Sequence, residues 1–115
     1  TMKNVKPSEI YLCDLDPVIG SEQGGVRPVI VVSHPLCCIN SDTVQICPLT
    51  TKDKKDIPTH YLLKNYDYNF LNDDSIVLGE CVRTISTKRL KYKLGKVDTL
   101  TLKEIIECMS RTFYN

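Results

Sequence analysis

The residue best suited to chemistry in this chain is the arginine of "GSEQGGVRPVIVV", residues 20–32. Arg27 stands between a polar, glycine-rich run and an unbroken apolar run, with Pro28 directly after it. The proline fixes φ and the apolar run reads as a buried strand, so the backbone under Arg27 is expected to be rigid. Its planar guanidinium suits bidentate binding of a phosphate. A mobile flap over a rigid cation is one way to clamp an extended anionic chain. An arginine simply paired with a carboxylate is the plainer alternative. The stretch is not a nucleotide-binding glycine loop: it lacks G-x-G-x-x-G, and a strand follows it rather than a helix N-terminus. G-x-S-x-G, H-E-x-x-H and paired-carboxylate signatures are absent from the sequence.

The other reactive residue types offer less. Cys13, Cys37, Cys38, Cys47, Cys81 and Cys108 include no C-x-x-C pair, and the adjacent Cys37 and Cys38 suit a zinc site poorly. His34 and His60 are isolated in sequence and supply no second ligand cluster. Reduced, partly buried thiols in a cytosolic protein are the expectation, ahead of a disulfide framework. Net charge is only +1, yet its distribution is uneven. Residues 65–82 carry Asp67, Asp73, Asp74 and Glu80 with no base, a net −4. Residues 83–96 carry Arg83, Lys88, Arg89, Lys91, Lys93 and Lys96 with no acid, a net +6. That basic run reads either as a solvated face or as an anion-binding stripe.

These residues must be held by a fold. At 115 residues, with 42% hydrophobic and 25% charged, the chain is expected to form one domain, 1–115, with a single core. No apolar run reaches membrane-span length, and no targeting segment is expected after Met2, with Thr1 ahead of the natural start. Strands are expected at 9–15, 27–33, 43–50, 59–64, 75–82 and 93–97, with a long loop over 16–26 and a helical turn near 86–90. Pro48 suggests an edge or bulge in the third strand. In "TLTLKEIIECMSRTFY" the residues Leu102, Ile105, Ile106, Met109 and Phe113 form one helical stripe, and Thr101 with Glu104 fits a capping box. The pattern is mainly β: a small antiparallel barrel closed by a C-terminal α-helix.

"EIYLCDLDPVIGSEQGGVRPVIVVS" resembles the first third of the MazF/PemK toxins, the ribonuclease members of bacterial toxin–antitoxin pairs. The resemblance continues through "CPLTTK", "IPTH", "CVRTISTKRL" and "LGKVDTLTLKEI", and so spans nearly the whole chain in order. It implies an SH3-like barrel that acts as a cytoplasmic homodimer and cuts single-stranded RNA at short sequences, with no metal and no cofactor. It also implies inhibition by a cognate antitoxin whose acidic tail crosses the dimer. Arg27 and Thr50 match the family's catalytic arginine and threonine. Ser21, Glu22, Gln23 and Gly24 match the mobile loop over the RNA, and Thr59, His60, Glu80 and Arg83 fall on substrate-contacting segments.

Metal-free cleavage of RNA by its own 2′-hydroxyl gives a 2′,3′-cyclic phosphate and a 5′-hydroxyl end. It needs a proton acceptor, a proton donor and charge stabilisation. Arg27 supplies charge and Thr50 a hydrogen bond; arginine is a poor base at neutral pH, so Glu22 or His60 would assist, with a structural role expected for His60. The sequence departs from the family pattern at Cys81, where glutamine is usual, in "TTK" (50–52) and in "SHPLCCINS", which bears on the recognised sequence. Two rivals are a CcdB-like gyrase poison of the same barrel, against which the chain's lack of tryptophan and its "TFYN" end argue, and a non-catalytic RNA-binding barrel. For the latter, Tyr66, Tyr68 and Phe70 would stack bases, or else pin a loop to the core.

Overall fold

The continuous apolar run after Arg27 is explained by a strand buried on both faces. In a computed structural model, which describes residues 5–34, 42–51 and 56–113, Val29 and Val31 join one core cluster and Ile30 the other. The first cluster gathers Tyr11, Cys13, Leu15, Val44, Ile46, Ile85 and Leu90 around them, and the second Ile10, Cys47, Leu49, Leu63, Leu71, Val77, Val97 and Ile105. Alternation along the strands thus feeds two cores through one sheet.

The strands are β1 (Glu9–Asp14), β2 (Val26–Val31), β3 (Thr43–Thr50), β4 (His60–Leu63), β5 (Ser75–Leu78), β6 (Arg83–Ser86) and β7 (Leu90–Lys96), followed by helix α1 (Thr99–Ser110). All ladders are antiparallel, in the order β4-β5-β3-β2-β1-β7, with β6 also on β3. The expected run 75–82 is not one strand. It breaks after Leu78 into a 3-10 turn, Gly79–Cys81, and β6 follows as a separate strand that sequence patterning missed. The turn expected near 86–90 is a 3-10 turn at Thr87–Arg89.

Strand β3 explains the break. Residues 43–46 pair with β6 and residues 49–50 with β5, so its neighbour on that edge changes at Cys47–Pro48. No ladder partner stands opposite Pro48 there to ask for the N–H that proline lacks. The fold class is the expected one, mainly β with a C-terminal helix, but the sheet is not closed by hydrogen bonds: among the described residues no ladder joins β7 to β4 or β6. The gap is spanned by side chains of the 64–74 link. Phe70 lies against Gly95 of β7 so closely that a Cβ there would sit 2.4 Å from the ring. Tyr68 donates to Asp98 Oδ2 at 3.2 Å and lies 2.8 Å from the Thr101 hydroxyl. Tyr68 and Phe70 therefore pin the link to the core, while Tyr66 stays exposed.

Helix α1 starts one turn earlier than the capping-box reading. Asp98 is the N-cap, its carboxylate accepting from Thr101 N at 2.7 Å. Glu104 instead accepts from the Tyr61 hydroxyl at 2.6 Å. Ile105 and Cys108 are buried and Leu102 and Met109 pack on the second cluster, whereas Ile106 and Phe113 of the expected stripe are 40% and 61% exposed. The contacting face is narrower than the apolar stripe.

Glu9 ties β1 to β7 with a charge. Its carboxylate accepts from Lys6 N at 2.7 Å and the Tyr11 hydroxyl at 3.0 Å, and pairs with Lys93 Nζ at 2.7 Å. Burial alone would raise its pKa, but the Lys93, Lys6 and Tyr11 bonds together outweigh that and hold it below the usual 4.5. A depressed carboxyl stabilises the fold above its ordinary value and loses that contribution as pH falls through the folded value. Glu9→Gln is expected to cost about 1–2 kcal/mol at neutral pH, the lower range for charged hydrogen bonds because Lys93 is partly exposed. The gap between variant and parent in thermal unfolding should close as pH falls below 4.5. A gap constant with pH would show that the charge contributes nothing.

Candidate active site

Arg27 is half-buried in β2, opposite Cys13 of β1. Its Nε donates to the Gly24 carbonyl at 2.9 Å and a terminal guanidinium nitrogen donates to Gln23 Oε1 at 2.9 Å. No carboxylate pairs with it among the described residues, so the plain ion-pair alternative is not what the fold builds. The loop that holds it is itself tied at its neck. Leu15 N donates to Gly25 O at 3.0 Å, Gly25 N donates to Asp16 Oδ1 at 2.9 Å, and Arg89 donates to the carbonyls of Asp14 and Asp16. Gly25 takes a positive φ of 77° where the loop re-enters β2. Ser21 and Glu22 lie exposed at the tip, with Glu22 Oε1 accepting from Ile19 N at 2.8 Å.

Thr50, buried at the end of β3, lines the same cavity as Arg27, of about 260 Å³, together with Pro28, Thr51 and Ser75. The two candidate catalytic residues, 23 positions apart, thus meet across β2 and β3. A second cavity of about 320 Å³ is lined by Glu22, Gln23, Pro48, Glu80, Cys81 and Arg83. Gln23 connects the two, because it lines the second while holding the arginine of the first. Thr59 and His60 do not line either cavity. They stand behind Glu80, which accepts from the Thr59 hydroxyl at 2.9 Å and meets His60 Nε2 at 2.9 Å. Burial pulls the Glu80 pKa upward, but the His60 bond, a backbone bond and the Thr59 bond together hold it below the usual value. His60 thus contacts Glu80 from outside both cavities.

The basic run 83–96 is not one stripe. Arg83 lines the second cavity, Arg89 ties the loop neck, and Lys93 pairs with Glu9. Lys88, Lys91 and Lys96 are exposed. Arg89 is a positioning residue that sequence reasoning missed, and nothing in the pattern signals a bond to carbonyls 73 and 75 positions away. Cys13, Cys47 and Cys108 are free thiols; Cys37 and Cys38 lie outside the described residues. Burial pushes Cys13 up to about 11 and Cys47 up to about 12, so neither is a nucleophile at neutral pH. No helix among the described residues is long and apolar enough to cross a membrane.

A family profile described as the PemK-like, MazF-like toxin of type II toxin–antitoxin systems matches residues 6–113. Endoribonuclease MazF of Staphylococcus saprophyticus is 38% identical over 102 residues, covering 88% of this chain and 84% of that protein. Among solved structures, MazF of Deinococcus radiodurans (Form-I) superposes with a TM-score of 0.78 at 23% identity, over 93% of this chain and 94% of that one. An endoribonuclease in complex with its cognate antitoxin, from a mycobacterial species, superposes with a TM-score of 0.74 at 24% identity, over 92% and 91%. At those identities the structures speak for the fold. The sequence matches, which take in the loop, Arg27 and Thr50, speak for descent, and by them this chain belongs to the PemK/MazF toxin family of type II toxin–antitoxin systems.

Proposed function

We propose that this protein is a sequence-specific endoribonuclease toxin that cuts single-stranded RNA, chiefly mRNA, without a metal. The observation that carries the reading is the meeting of Arg27 and Thr50 in one cavity, with the arginine's fork held by Gly24 and Gln23. A phosphodiester seated there would have its nonbridging oxygens facing the guanidinium and the Thr50 hydroxyl. The substrate's 2′-oxygen attacks phosphorus as its proton is taken up, and the bond to the 5′-oxygen breaks as that oxygen is protonated. The products are a 2′,3′-cyclic phosphate and a 5′-hydroxyl. The guanidinium is already oriented before substrate arrives, which is the condition for electrostatic stabilisation of the growing phosphorane charge. In this reading Glu22, exposed at the loop tip, is the carboxylate that would approach the bound chain, while His60 is engaged with Glu80.

The toxin would act as a homodimer in the bacterial cytoplasm and be silenced by a cognate antitoxin with an acidic tail. The mycobacterial endoribonuclease was solved in complex with its cognate antitoxin. The test is cleavage of a long single-stranded RNA by the purified protein in EDTA, with product ends mapped. Discrete cuts bearing 5′-hydroxyl ends are expected. Intact RNA in EDTA, or 5′-phosphate ends, would overturn the chemistry, and gyrase inhibition in its place would point to the poison reading.

A further inference from the structure

We propose that the row Tyr92–Leu12–Pro28, which crosses three strands from the sheet edge to the Arg27–Thr50 cavity, carries the unpaired RNA that flanks the cut. A flanking base stacks on Tyr92 and the backbone passes Lys91, without regard to sequence. The proposal rests on the ribonuclease reading above and adds to it a contact on β7, outside both cavities.

Leu12 of β1 pairs with Pro28 of β2 on one side and with Tyr92 of β7 on the other. Directly opposite residues share a face of the sheet, so the three side chains form one row. At the usual strand spacing the row runs about 10 Å from Pro28 to Tyr92. None of the three belongs to either core cluster. Tyr92 is 56% exposed, and Leu12 and Pro28 are partly exposed. Pro28 lines the cavity that holds Arg27 and Thr50, and so does Val26, exposed in the next pair. An apolar row that neither core covers thus begins where the scissile phosphate would sit.

Charge identifies the occupant. The register of β7 shifts here: Leu90 pairs with Cys13 and Tyr92 with Leu12, so Lys91 is an extra residue with no partner opposite. Lys91, and Lys88 in the turn before it, are exposed and form no ion pair among the described residues. The acid of the neighbouring pair, Asp14 opposite Val26, is partly buried, and its carboxylate accepts from Asp16 N at 3.1 Å. An exposed aromatic face beside unmatched cations suits single-stranded nucleic acid, in which every base has a face to stack and every phosphate a charge to neutralise.

The experiment compares kcat/KM on the shortest RNA that the wild-type protein cuts with kcat/KM on the same RNA extended by a few unpaired nucleotides, first on one side and then on the other. One of the two extensions should raise the value about 5- to 100-fold, chiefly through KM. In Tyr92→Ala that ratio of long to short should fall to about one, while Tyr92→Phe, which keeps the ring, should restore it. An abasic extension, which keeps the phosphates, should recover only a minor part of the gain. Lys91→Ala should lower the salt dependence on the extended RNA by about one unit of log–log slope. No gain from either extension, a gain kept in full by Tyr92→Ala, or a full gain from the abasic extension would each overturn the row as an RNA contact and leave cleavage standing. A changed mass in solution for Tyr92→Ala would assign the row to a subunit contact and overturn it too. RNA left uncut by the wild type would overturn the ribonuclease reading, and this proposal with it.

Discussion

Arg27→Ala is expected to slow RNA cleavage by about 10²–10³-fold, the loss seen when one preorganised donor is removed from a developing oxyanion. The substitution removes two things at once: the charge beside Thr50, and the bonds that fasten the loop through Gly24 and Gln23. Gln23→Ala separates them, because it leaves the cation and the Gly24 bond in place; a loss of tenfold or less would assign the larger part to charge at phosphorus. Arg27→Lys keeps charge but loses the fork, and should fall between the two. Single-turnover rates at saturating protein measure the chemical step, and thermal unfolding run alongside should barely move, since Arg27 lies at the cavity rather than in either core cluster. A variant that cuts at the parent rate would remove Arg27 from the mechanism.

Gly79→Ala carries the largest expected loss of stability, about 3 kcal/mol, the upper end for overpacking. A Cβ at this position would lie 2.5 Å from the Thr59 carbonyl oxygen and 3.1 Å from Met109 Cα. Both neighbours are backbone, one entering β4 and the other in α1, so no rotamer change relieves the contact. Gly79 N also donates to that same Thr59 carbonyl at 3.0 Å. Relief requires β4 and the helix to part, which would move Thr59 and with it one of the two donors that hold Glu80. Denaturant unfolding should show a lowered midpoint, and cut-site mapping a blurred motif. An unfolding midpoint equal to the parent's would mean the neighbourhood is looser than its distances indicate.

The sequence was most legible where burial and backbone preference agree. Residues 43–50 read as a strand and are one, and the two-faced burial of Val29, Ile30 and Val31 is written in their unbroken apolar run. It was least legible where one residue type satisfies two patterns. Thr101 with Glu104 looks like a cap, but Asp98 three residues earlier takes the role, and the other two side chains turn to tyrosines, Tyr68 of the 64–74 link and Tyr61 of β4. Ile106 and Phe113 share a helical stripe with Ile105, yet periodicity does not report how wide a face the sheet accepts. Strand β6 was hidden because "SIVLGECV" is rich enough in β-formers to read as one strand ending at Val82, and only the pairing of β3 with two successive partners shows why it must break. At the site, Arg27 and the loop were read from local sequence. The Glu80 cluster with Thr59 and His60, and the cavity it shares with Gln23, arise from contacts about 20 or more positions apart that no local pattern encodes.

The bonds from Arg89 to the carbonyls of Asp14 and Asp16 have a consequence in time as well as in space. A chain emerging N-terminus first has made its loop and Arg27 long before the residue that fastens the loop's neck, and β1 waits for its β7 partner over the same interval. The nascent protein therefore carries its candidate catalytic arginine beside an unfastened loop until Arg89 has been made. Synthesis of residues 89–96, rather than pairing of the first strands, sets the moment at which the loop's neck is tied.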